Sequence, residues 1–161
     1  MLRSCVVIGL LAFAGFGLAA VSEEKDPGHV ELSAELHRAL ITEMVAIDAA
    51  ISSLASSIAR GDWPAIRRES QKIHDSFILQ QKLSEAELEE LHQSLPPGFL
   101  KLDSRFHQHA QQLAHVAEQG DSELAVFYFT KLVEGCIECH ATYAADAFPD
   151  LTTPATEGHS H

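Results

Sequence analysis

Between Glu31 and Arg60 apolar residues return every three or four positions: Leu32, Leu36, Leu40, Met44, Ile47, Ile51, Leu54 and Ile58. That spacing lines one face of a long amphipathic helix, and no Pro or Gly interrupts it. Gly61 supplies a left-handed stop, Asp62 is a good N-cap for a second helix, and Pro64 is tolerated in its first turn. This second helix carries Ile66, Ile73 and Phe77 and is predicted to run to about Leu83. Ser84-Glu85-Ala86-Glu87 has the capping-box pattern and opens a short helix ending near Leu95. Pro96-Pro97-Gly98 then breaks the chain. A third long helix follows with Phe99, Leu102, Phe106, His109, Leu113 and Val116 on one face. Gly120-Asp121 ends it and caps a fourth, which carries Leu124, Phe127, Tyr128 and Leu132.

The order helix, Gly-Asp, helix therefore occurs twice. Two αα-hairpins joined by a longer middle connection predict an all-α fold, an antiparallel four-helix bundle with a short extra helix in that connection. No segment alternates as a strand would. Phe77, Phe99, Phe106 and Phe127 fall at core spacing, Trp63 is expected to pack over the hairpin, and His107 and His115 are expected to face solvent. Glu85, Glu87, Glu89 and Glu90 read as a solvated face of the short helix. Residues 149–161 contain Thr, Pro and Gly without periodicity and are expected to form a disordered tail.

The N-terminus has a different character. Met1-Leu2-Arg3-Ser4 is a short basic region, and Cys5 to Leu18 is an uncharged apolar run. Gly17 and Ala19 give a small-x-small pair, so residues 1–20 read as a signal peptide cleaved after Ala19 or Ala20, with an uncleaved anchor as the alternative. Residues 21–30 then form a linker and 31–148 the helical domain. The run is short for a membrane span and is followed by polar residues, so no stable membrane insertion is expected after processing.

The 161 residues suffice for one domain, and 46% apolar residues suit a packed core. The formal charge is −12, and loss of Arg3 with the leader makes it −13. Such an acidic chain is a poor match for nucleic acid or anionic lipid. It suits a partner with a basic docking face, whose attachment weakens with salt.

Loss of the leader also removes Cys5, so the remaining cysteines are Cys136 and Cys139, within Cys136-Ile137-Glu138-Cys139-His140. Cys-x-x-Cys-His is the attachment signature for c-type haem. On a helix the two thiols share a face and can each form a thioether to a haem vinyl group, while His140 presents its imidazole to the iron as proximal ligand. A redox dithiol would be expected near a βαβ pattern, which is absent. A disulfide across three helical residues closes a tiny loop and gains little. A zinc site needs more ligands, and no second paired motif is present. Export fits covalent haem attachment, which follows translocation.

A leader, four helices and one Cys-x-x-Cys-His near the end of the last helix resemble the cytochrome c′ family, including its low-spin relatives. The resemblance spans about Leu32 to Ala145, and Cys136 through His140 followed by Tyr143 matches the family's Cys-x-x-Cys-His-x-x-Tyr. Where the family continues with Arg or Lys, this chain has Ala144, so the role of that basic residue does not carry over. The resemblance implies one covalent haem c and a distal residue in the first third of helix one, at about the level of His37 to Met44. There the family uses Met for six-coordinate iron and an apolar side chain for five-coordinate iron.

Met44 is the leading candidate for the distal iron ligand. An open distal site roofed by Ile41, Leu40 and Met44 is the alternative, and His37, His74 and His109 are further candidates. Six-coordinate iron implies periplasmic one-electron transfer, whereas an open site implies binding or sensing of NO or CO. No enzymatic activity is expected: a peroxidase would need a distal His-Arg pair, and helix one carries only Arg38 and Arg60. A haem-free interaction bundle would make the pentapeptide accidental. The resemblance also allows a homodimer through helices one and two.

Overall fold

The computed structural model describes residues 30, 32–76 and 84–152. The expected signal peptide, nearly all of the 21–30 linker, Phe77, and residues 153–161 lie outside the described residues. Within them the chain forms five α-helices that pack against one another, and no strand occurs among the described residues. They are α1 (Ala34–Arg60), α2 (Trp63–His74), α3 (Glu85–Ser94), α4 (Pro97–Gln119) and α5 (Ser122–Tyr143), followed by a single 3-10 turn, Pro149–Leu151.

Local chemistry sets most of the boundaries. Gly61 and Gly120 end α1 and α4 at φ of 65° and 68°, a region that favours glycine because it has no Cβ. Asp62 then accepts from Ala65 N at 3.1 Å, and Asp121 from Glu123 N and Leu124 N at 3.0 Å each. Ser84 and Glu87 form the reciprocal capping box at the start of α3. Trp63 packs against Gly120, so the two Gly-Asp turns lie side by side. Asp121→Ala removes an acceptor for two otherwise unpaired N–H groups. It is expected to lower stability by about 1 kcal/mol in urea denaturation; a change within error would show that water replaces the cap.

Three boundaries depart from expectation. Helix α2 stops at His74, short of Leu83, where Ser76 Oγ donates to Ile73 O at 2.7 Å and Gln71 bonds the Asp75 carboxylate. Short polar side chains that satisfy terminal carbonyls compete with helix continuation. The triplet Pro96-Pro97-Gly98 is a helix start as well as a break, because Pro97 lacks an N–H that the first turn would leave unbonded anyway. The segment after Tyr143 folds back into the 3-10 turn, so structure extends to Thr152.

The interior is organised as two clusters. Leu54, Ile66, Ile73, Leu113, Val116, Ala125 and Leu132 form the larger one, toward the Gly-Asp turns. Leu36, Leu91, Leu95 and Phe99 form the smaller one at the opposite end, with Leu40, Cys139 and Tyr143 packed against it. Helix α1 is long and apolar enough to cross a membrane, yet Leu36, Ile47 and Leu54 are buried among its neighbours. The seams α2–α4 and α4–α5 are the most extensive, α1–α2 is intermediate, and the seam between α1 and α5 is looser than these three. That loose seam flanks the pentapeptide.

Candidate functional site

Cys136, Cys139 and His140 occupy the last two turns of α5, and both cysteines are free thiols. Several contacts hold these turns against α4. Gly135 lets Phe106 come close, since a Cβ there would lie 3.2 Å from Phe106 Cδ2. Arg105 forms an ion pair with Glu138, inside the pentapeptide. Tyr143 meets Phe99 edge-on, with ring centroids 5.3 Å apart, and its hydroxyl fills the space beside Gly98. The α4–α5 seam opens there into a recess of about 310 Å³ lined by Arg105, His109, Lys131, Glu134 and Glu138. A larger open groove of about 780 Å³ lies away from the pentapeptide, between α1 and α2.

Burial dominates the electrostatics of the thiols. It pushes the Cys139 thiol up to about 11, with Asp103, Cys136 and Glu138 adding in the same direction. Cys136 is also raised, chiefly by burial and further by the charge of Asp48, against a backbone hydrogen bond that lowers it. A redox dithiol depends on a depressed thiol pKa, so these environments favour the protonated thiol instead. Burial lowers the pKa of His140, favouring the neutral imidazole. Its ring lies parallel to that of Phe148, with centroids 4.1 Å apart and an interplanar angle of 1°.

Opposite α5, the buried stripe of α1 runs through Leu36, Glu43, Ile47, Ala50, Leu54 and Ser57. At about 100° per residue, Leu40, Met44, Ile51 and Ile58 form one shoulder of this stripe. Ala46, Ala49 and Ala50 line the groove against α2 on the other side. Met44 is half-buried and thus lies on the shoulder away from α2. Leu40, one turn before it, packs on the cluster containing Cys139, and Asp48, one turn after it, acts on Cys136. The turn bearing Met44 therefore falls at the level of the two cysteines. Ile41 is 49% exposed.

The histidines separate clearly. His37 and His115 are exposed, while His109 is half-buried and lines the α4–α5 recess. His74 is half-buried, with Nδ1 donating to the backbone oxygen of His107 at 3.2 Å. His107, expected on the surface, is buried. Its Nδ1 donates to Ile73 O at the end of α2 at 2.7 Å, and Nε2 faces Asp103 Oδ1 at 3.4 Å. Glu43, also buried, acts on the same imidazole electrostatically. The Asp103-x-x-x-His107 spacing was the available signal for this pair. Phe127, expected in the core, is half exposed beneath the Lys131 ammonium, because Ala125 and Leu132 take the inward face of α5.

Among the described residues no group of three or more His, Cys, Asp or Glu is arranged to hold a metal ion directly. The donor set at the end of α5 is of another kind: two half-buried thiols whose pKa values burial raises, Cys139 against an apolar cluster, and an imidazole whose pKa burial lowers. Two thiols and an imidazole on one helix end could hold a prosthetic group through sulfur bonds and one nitrogen ligand. No family model matches the chain, and no curated protein and no solved structure matches it.

Proposed function

We propose that the chain is an exported c-type cytochrome resembling cytochrome c′, with α1, α2, α4 and α5 forming an antiparallel four-helix bundle around one covalently attached haem. The observation that carries this reading is the setting of Cys-x-x-Cys-His. Cys139 packs on an apolar cluster, and the α1 turns flanking Met44 reach the same region, Leu40 through that cluster and Asp48 through its charge on Cys136. A haem bound there supplies reversible one-electron exchange at its iron.

The residues divide the work as follows. Cys136 and Cys139 would hold the porphyrin covalently, each through a thioether bond. Burial raises the pKa of both thiols, which keeps them in the neutral form before attachment. His140 would offer an imidazole nitrogen to the iron, and Met44 would offer its thioether sulfur from α1. The Arg105–Glu138 ion pair and the Tyr143–Phe99 contact hold α5 in register so that the two thiols and the imidazole keep their relative positions. The role proposed is periplasmic electron transfer to a partner with a basic docking face.

The test is the absorption spectrum of the haem-matured protein, ferric and ferrous, before and after CO. A sharp low-spin ferrous spectrum unmoved by CO, with a ferric sulfur-to-iron charge-transfer band, is the expected result. Met44→Ala is then expected to abolish both features and admit CO. A wild-type ferrous spectrum that is high-spin and shifts with CO would replace electron transfer by NO or CO binding at an open distal face.

A further inference from the structure

We infer that Phe148 is a positioning residue for the His140 imidazole, setting the plane of that ring and shielding one of its faces from water. The inference rests on the haem reading for what His140 binds, and on the following geometry for the rest.

The two rings are parallel within 1°, with centroids 4.1 Å apart. A parallel stack covers the face of the imidazole and leaves its edge, where both nitrogens lie, open to a partner. It also opposes rotation about the Cβ–Cγ bond, since turning the imidazole would drive an edge of the ring into the phenyl group.

Phe148 reaches this position by a hydrogen-bonded return of the chain. Ala144 N donates to His140 O at 3.0 Å, and Ala147 N and Phe148 N both donate to Ala144 O at 2.9 and 3.0 Å. Leu151 N then donates to Phe148 O at 3.1 Å, closing the 3-10 turn. Both backbone polar groups of Phe148 are thereby held. Phe148 remains 40% exposed, and its stack on His140 is the ring contact that holds its side chain in place.

This arrangement suits an axial ligand. The orientation of an imidazole plane against the four pyrrole nitrogens changes the splitting of the iron orbitals with which it overlaps. Water beside the ligand stabilises the more highly charged ferric state and lowers the reduction potential. A ring that fixes the plane and displaces water therefore acts on both quantities through His140, without touching the iron.

The test compares wild-type, Phe148→Ala and Phe148→Tyr holoproteins by covalent haem content, ferric electron paramagnetic resonance and midpoint potential. Wild type is expected to carry one covalent haem per chain. Phe148→Ala should retain that haem but show shifted g-values and a lower potential, and Phe148→Tyr should restore both toward wild type. Full haem content with unchanged g-values and potential in Phe148→Ala would overturn the positioning role while leaving the cytochrome reading intact. Altered values that tyrosine fails to restore would also overturn it. Absence of covalent haem from wild type would overturn the cytochrome reading, and the inference with it.

Discussion

Replacing Cys136 and Cys139 together by alanine is expected to abolish covalent haem attachment while leaving a folded helical protein. Both halves of this expectation come from the site. The described residues contain no other cysteine, so among them the double variant has no thiol with which to form a thioether. The two thiols are half-buried rather than central, and replacing each by alanine should cost about 1 kcal/mol of the polypeptide's own stability, below the range for large core truncations. The helical far-ultraviolet signal should therefore persist. The measurements are pyridine haemochrome content after acid-acetone extraction and haem staining on a denaturing gel. Wild type should retain its haem through both, and the double variant should retain none. Each single variant should hold haem through one thioether, with the haemochrome band displaced toward that of a porphyrin with one free vinyl group. Covalent haem persisting in the double variant would remove these cysteines from the site.

Removing the buried imidazole at position 107 is expected to have the largest effect on stability. Both ring nitrogens of His107 face acceptors, Ile73 O and the Asp103 carboxylate, and a neutral imidazole can donate to only one of them. Burial by itself lowers the pKa. The Asp103 hydrogen bond and charge, the Ile73 carbonyl and the charge of Glu43 together outweigh burial, and the pKa is raised. The resulting cation sits at the C-terminal end of α2, where the helix dipole favours it. His107→Leu keeps the volume but removes this charge from the influence of two carboxylates, and should cost about 2–4 kcal/mol at pH 6.

The pH dependence follows from the raised value. Stabilisation by the protonated ring is fully present below the unfolded histidine pKa of about 6.5 and is lost as pH rises through the higher folded value. Urea unfolding of wild type should therefore show stability falling from pH 6 toward pH 9, and His107→Leu should remove that fall. Equal slopes in the two proteins would assign the pH dependence to other groups.

Tyr143 and Phe148 show how differently two aromatic residues near the site can be read. Tyr143 stands three residues after His140 on the same helix, so its position next to the pentapeptide followed from helical spacing. Its partners, Phe99 and Gly98, are on α4, and that pairing appeared only in the fold. Phe148 belongs to a segment with almost no periodic signal. Its place on His140 depends on a chain reversal held by several backbone hydrogen bonds to Ala144 and Phe148, for which the side chains of Ala144, Asp146 and Ala147 carry no distinctive turn signature.

The sequence by itself determined the features that act within about four residues. These are the left-handed stops at Gly61 and Gly120, the caps at Asp62, Ser84 and Asp121, the long α1, α4 and α5, and the grouping of Cys136, Cys139 and His140 on one helix. Capping and helical periodicity are local, so they survive without knowledge of neighbours. The tertiary structure decided which side of each helix is buried. The buried stripe of α1 is turned toward Glu43, Ala50 and Ser57, which leaves Met44 on its shoulder. On α4 it takes in His107, and on α5 it excludes Phe127. A rotation of a few tens of degrees about a helix axis costs nothing in local propensity. Only packing against the other helices selects it, and that selection leaves Met44 half-buried and puts His107 against the Ile73 carbonyl at the end of α2.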